Sequence, residues 1–310
     1  MQREVARLVG NASRREAPRR FGLARQSTGP ASGRWWCVGR ASGALANCAL
    51  LGFVMVGCGR APAAPRATTD WIVQYQFLSL VASDPRALRM FQNATIYVVL
   101  DQTKERQDGI PTSSLHLVPT AYFNSYVTFV SAVTGHQLSP QIRAVIFDDS
   151  ADTPASVVPP EEADHPYQYD QKFAAFAARH GLLSMCDYIL PSRLGHASTT
   201  GEAPPCAVEL LNSSQQSERS ASQYQRIVRT AVEAARAAKP TMPVFAGLST
   251  NPRGTPVTAA ELAAAVRTTD SIVTGYWVSI PPAGGIGCPD CSPQNPALLP
   301  AFLGLLASQA

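Results

Sequence analysis

The chain has 310 residues and a formal net charge of +4. Residues 1–57 hold nine Arg against Glu4 and Glu16, which leaves 17 basic and 20 acidic side chains for the rest. A slightly acidic body argues against a nucleic-acid-binding domain, which carries its positive charge on the folded part; at 45% hydrophobic and 15% charged, the chain is not a disordered one.

The N-terminal stretch reads as an export leader. Ala41–Gly57 is uncharged, and its apolar centre Leu45–Val56 has the length of a signal h-region, short of the roughly 20 apolar residues of a membrane span. Met55-Val56-Gly57-Cys58 resembles a lipobox, with Met55 where Leu is usual, and predicts Cys58 as a lipidated mature N-terminus. An uncleaved anchor helix is the alternative. The Arg-rich segment before it is long for a leader, and a start near Val38 gives a compact one. The predicted organisation is a leader over 1–57, a Pro/Ala-rich tether over 58–69 and one domain over 70–310. The expected location is the outer face of the cell membrane.

The body alternates strand and helix. Trp71–Gln76 reads as a strand, and Asp84-Pro85 opens a short helix. Ala94–Leu100 and Leu115–Val118 read as strands, Tyr122–Val133 as a helix, and Arg143–Phe147 as a strand ending at Asp148-Asp149. A loop over 150–165 leads to the helix Tyr167–His180, with Gly181 as C-cap. Strands follow at Leu182–Cys186 and Ala207–Leu211, then the amphipathic helix Ser220–Lys239 stopped by Pro240. Pro243–Leu248 is a strand, Thr258-Ala-Ala-Glu261 a capping box, Ser271–Ile280 a strand and Ala297–Ser308 a last helix. Near-continuous apolar strands at this period predict a (β/α)8 barrel, with an open doubly wound parallel sheet as the alternative.

Cysteine spacing adds a framework. Beyond the leader stand Cys186, Cys206, Cys288 and Cys291, most simply paired 186–206 and 288–291 in an exported domain. A four-Cys zinc site would normally need a second CxxC. The five His are scattered, so neither metal nor cofactor is expected, and no GxSxG supports a serine hydrolase.

Barrel chemistry sits at the C-terminal strand ends. The sequence puts Asp101, Asp148 and Asp149, Asp187, Glu209, Asn251, Tyr276 and Trp277 there. Carboxylates, amides and large aromatics at one mouth suit a saccharide. Asp148 and Glu209 are the expected catalytic carboxylates, and Asp101, Asp149, Asn251, Tyr276 and Trp277 the expected substrate contacts. The structural alternatives are loop capping for the Asp residues, an Arg partner for Glu209, and barrel packing for the two aromatics.

Val244–Gly254, Gly275–Pro281, Cys288-Pro-Asp-Cys291 and Val145–Asp149 with Thr153-Pro154 resemble a group of exported actinobacterial proteins without an assigned activity. The resemblance implies a secreted (β/α) barrel similar in outline to glycoside hydrolases. It also implies an Asp at the position of Asp148 with a Glu two residues on, where this chain has Ser150. The expected function is glycoside-hydrolase-like action on a glycan or cell-wall saccharide, the alternative a saccharide- or small-molecule-binding lipoprotein. The expected partners are a carbohydrate and the membrane, for a monomeric protein that binds no nucleic acid.

Overall fold

Eight short strands carry the fold: β1 (Asp70–Gln74), β2 (Thr95–Val99), β3 (His116–Phe123), β4 (Ala144–Phe147), β5 (Leu183–Asp187), β6 (Val208–Leu211), β7 (Val244–Ser249) and β8 (Gly275–Ser279). They pair in parallel and in sequence order, and β8 closes onto β1. The computed structural model describes residues 69–100, 114–148, 158–187, 204–212, 217–281 and 290–308. All of these belong to one of the chain's two compact units, Pro62–Ala310. The closed ring is the predicted (β/α)8 barrel, and closure excludes the open sheet.

The helices are α1 (Tyr75–Ser83), α2 (Pro85–Phe91), α3 (Tyr126–Thr134), α4 (Pro160–Asp164), α5 (Pro166–Arg179), α6 (Ala221–Ala238), α7 (Ala259–Thr269) and α8 (Leu298–Ala307). Their ends follow local chemistry. Asp84 accepts from the Arg86 N–H at 2.8 Å with Pro85 at the first turn of α2. Ser220 caps α6, and Thr258 and Glu261 form the predicted reciprocal box on α7. Gly181 takes φ of +68° just beyond α5, a conformation that favours glycine.

Strand alternation divides the core into two layers. Ile72, Ile146, Met185, Val208, Leu210, Phe245 and Trp277 form a cluster made only of strand residues, which is the barrel interior. The intervening residues, among them Trp71, Val73, Ile96 and Val98, pack outward against the helices. On α6 the outward layer is met by Tyr224, Val228, Ala231, Val232 and Ala235, all buried. Around β4, Phe147 stacks on Phe173 of α5 with centroids 4.9 Å apart, and Phe173 lies 4.6 Å from Phe129 of α3. At the closing seam, a Cβ on Gly275 would run into the Asp70 carbonyl and the Phe245 ring, so only glycine fits.

The Cys186–Cys206 disulfide joins the outer face of β5 to the segment entering β6. Cys291 is disulfide-bonded as well, and Cys288, its predicted partner, lies outside the described residues. Among the described residues no helix lies between β2 and β3 or between β5 and β6, and no helix is long and apolar enough to cross a membrane.

Three elements differ from the sequence reading: α4 (Pro160–Asp164) lies within the stretch 150–165 read as a loop, and two more differ at strand–helix junctions. Tyr122, predicted on a helix, belongs to β3, which runs five residues past the predicted Val118. The helix starts only after Ser125, whose hydroxyl caps it. Tyr75 and Gln76, read as strand, open α1 instead.

Candidate functional site at the barrel mouth

The polar groups at the C-terminal ends of β3, β4, β5 and β6 form two hydrogen-bonded groups, Tyr122–Asn124–Asp148 and Asp187–Asn212, related by charge. β3 brings Tyr122 to its end with the side chain inward, in phase with Val118. Its hydroxyl donates to Asp148 Oδ2 at 2.6 Å, a short, charge-assisted bond. Asn124 Nδ2 contacts the Tyr122 hydroxyl at 3.0 Å and donates to the Asp148 carbonyl, also at 3.0 Å. Asp148 follows β4 directly and is 6% exposed; Asp187 ends β5 and is 5% exposed. Asp187 Oδ1 accepts the Asn212 N–H at the end of β6 at 3.1 Å.

Electrostatics ties the two aspartates to one phenol. Burial first, then the negative charge of Asp148 and the hydrogen bond to it, hold Tyr122 well above the ordinary phenol range, and Asp187 adds in the same direction. Tyr122 is thus a fixed O–H donor at neutral pH, and Asp148 and Asp187 are acceptors beside it. Such an arrangement binds hydroxyl-rich ligands or holds a proton acceptor in place.

Glu209, expected as the second catalytic carboxylate, does not face this mouth. Val208 and Leu210 point into the barrel, so Glu209 between them points outward, in register with outward Cys186 and Val244. It sits behind the barrel wall, 2% exposed, with Oε1 lacking a hydrogen-bond partner among the described residues. Burial pushes its carboxyl up to about 8, opposed by the nearby charge of Lys239. An Asp148–Glu209 catalytic pair is therefore excluded.

Tyr276 is corrected for the same reason. It points outward into α7, where its hydroxyl donates to the Val266 carbonyl at 2.9 Å and lies 2.9 Å from the Thr269 hydroxyl. It is a packing residue with no access to the mouth. Trp277 does point inward and joins the interior cluster, beside Gly247 on β7, which leaves room for the indole.

Asn251 lies beyond the end of β7, buried, and its amide is spent on structure. Nδ2 donates to the carbonyls of Pro281 and Ser292 at 2.8 and 3.0 Å, while Oδ1 accepts from Thr250 at 3.0 Å. It ties the β7 and β8 loops to the segment 290–292, which also pairs with Arg253 through Cys291. Asp101, Asp149, Cys58 and Cys288 lie outside the described residues. Among the described residues no group of three or more His, Cys, Asp or Glu could hold a metal ion.

One carboxyl escaped the sequence reading. Glu218, between β6 and α6, is fully buried, and its Oε1 accepts the Ser249 N–H at the end of β7 at 2.6 Å. Its place two residues before the cap Ser220 marks it as a residue of a strand-to-helix loop at the C-terminal end of the barrel. Nothing in its spacing announces that it is buried.

No protein-family model matches the chain, and no curated protein sequence matches it. Solved structures do resemble it in fold. A glucosidase from Croceicoccus marinus aligns at 14% identity with TM-score 0.42, over 79% of this chain and 62% of that one. A protein assigned as a fructose-1,6-biphosphate aldolase from Coccidioides immitis aligns at 10% identity, TM-score 0.39, over 78% and 88%. PbGH5A, a glycoside hydrolase family 5 enzyme from Prevotella bryantii crystallised with a xyloglucan tetradecasaccharide, aligns at 12% identity, TM-score 0.34, over 76% and 85%. The likeness is one of barrel fold alone, which glycoside hydrolases and an aldolase share.

Proposed function

We propose that this chain is a glycan-directed (β/α)-barrel protein on the extracytoplasmic face of the cell membrane, held there by a lipid on Cys58, with its binding site at the mouth over β3–β6. The observation that carries the reading is the Tyr122–Asp148 bond, with Asp187 close enough to act on the same phenol. Two carboxylates and a phenol, each fixed on a strand end, match the alternating donors and acceptors of a sugar ring. Trp277 inside the barrel supplies an apolar surface below them. The acidic balance of the body suits a neutral ligand better than a polyanion. Action on the glycan is of the glycoside-hydrolase type, and it uses Asp148 as one carboxylate. The protein works as a monomer without metal or cofactor.

A glycan array probed with the wild-type protein and with Asp148→Asn tests the reading. Retention of oligosaccharides by the wild type, weakened about tenfold or more in the variant, is the expected result; it corresponds to loss of a charged hydrogen bond. A wild type that retains no glycan, or a variant that binds as well as it does, overturns the assignment of the mouth.

A further inference from the structure

Hydrolysis of a glycosidic bond needs a proton donor as well as a carboxylate, and Glu209 cannot serve from behind the wall. Glu218 is a buried carboxyl placed at the right end of the barrel. It lies at the same end of the barrel as Asp148, because its anchor, the Ser249 N–H, is the last of β7. That bond fixes the carboxyl through Oε1. The other oxygen, Oε2, is buried and makes no well-formed hydrogen bond among the described residues, although the backbone N–H groups of Glu218 and Ser217 lie close enough to act on the carboxyl. A buried polar atom left without a full partner is costly, and a fold tolerates that cost at sites where a ligand completes the bond.

We propose that Glu218 is the proton donor of the mouth, held by Ser249 and presenting Oε2 to an oxygen of the bound ligand. Burial pushes this carboxyl up to about 8, so it holds its proton at neutral pH. The backbone N–H groups of Ser249, Glu218 and Ser217 pull the other way, and no charged side chain among the described residues contributes to the shift. In cleavage, the Oε2 proton passes to the leaving oxygen as its bond to the anomeric carbon breaks. Water adds to that carbon and yields a proton to Asp148; one water is consumed, Asp148 gives its proton up to solvent and Glu218 regains one from solvent, which restores both carboxyls. The identity of the ligand rests on the glycan reading; the assignment of the donor rests on the carboxyl itself.

The two are separated by treating the full-length chain with a small diazoacetamide, which esterifies protonated carboxyl groups with loss of nitrogen, followed by peptide mapping. Glu218 is expected to be esterified at pH 7 and about tenfold less at pH 9, following its proton. Exposed Glu161 labelled at pH 4 shows that the reagent works. Absence of label on Glu218 in that same experiment overturns the donor. Glu218→Gln keeps an acceptor for the Ser249 N–H, so an unchanged circular dichroism spectrum certifies its fold. In that variant, glycan cleavage is expected to fall at least a hundredfold while glycan binding persists; cleavage at the wild-type rate also overturns the donor. If Glu218 is esterified as expected but the wild type neither binds nor cleaves any glycan, the glycan reading fails and the donor stands with another ligand.

Discussion

Glu209 and Glu218 carry the same chemistry to opposite uses. Both are buried carboxyls whose proton affinity is pushed from 4.5 up to about 8, one packed behind the wall beside β7 and one at the rim. Between those two pH values the folded chain keeps protons that the unfolded chain has released. Stability from these groups is therefore complete at acid pH and declines as pH rises through that window. Glu209→Gln removes its share of the decline. Urea denaturation is expected to show the variant more stable than wild type by about 1–3 kcal/mol at pH 8.5 and nearly equal at pH 5. Parallel pH profiles for the two proteins would show that Glu209 ionises freely and is not buried as described. Asp148 was legible in the sequence because a carboxylate directly follows a wholly apolar strand. Glu209 was misread because all four residues of β6 are buried, so the polarity pattern does not tell the inner face from the outer. The same holds for the Tyr276 and Trp277 pair on β8, which the sequence assigned together and the pleat sends in opposite directions.

Helix starts and strand ends share their residues in this fold, and the β3–α3 junction shows how. Ala121-Tyr122-Phe123 continues the strand, with Ala121 and Phe123 outward and Tyr122 inward, before Ser125 turns the chain. An aromatic followed four residues on by Tyr126 mimics a helical face, which hid the strand's true length. The cap Ser125 was the available signal. The junction is fixed by Glu162 of α4, which accepts from Tyr126 N at 2.7 Å, Ser125 Oγ at 3.1 Å and Val127 N at 3.3 Å. One carboxylate thus satisfies the orphan donors at the start of α3 and pins α4 beside them. Glu162→Ala leaves those buried donors unpaired and is expected to cost about 2–4 kcal/mol in thermal or urea unfolding, with Glu162→Gln recovering part of it. A loss below 0.5 kcal/mol would mean that water replaces the carboxylate at no cost. Because Asn124 and Tyr122 immediately precede this junction, loosening it is expected to weaken the mouth as well.

At the scale of the molecule, the alternation of apolar strands with capped helices pointed to the barrel, and the closed ring decided it against the open sheet. The order β1 to β8 and the seam at Gly275 follow from parallel pairing around a ring. The seam itself was not legible, because a lone glycine before an aromatic strand has no distinctive pattern. The lipid on Cys58 is the prediction that belongs here: Cys58→Ala is expected to move the protein from the membrane fraction to the soluble one, and unchanged fractionation refutes the lipobox.

The first strand begins at Asp70, whose Oδ1 accepts the Thr95 N–H, and the hydroxyl of Thr69 just before it donates to Asp270 at 2.6 Å. The polypeptide thus enters the ring through its floor, at the rim opposite Asp148 and Glu218. The Tyr122–Asp148 pair therefore sits at the end of the ring away from the one where the first strand begins, so a ligand seated at the mouth and a change at Thr69 or Asp70 act on opposite ends of the same eight strands.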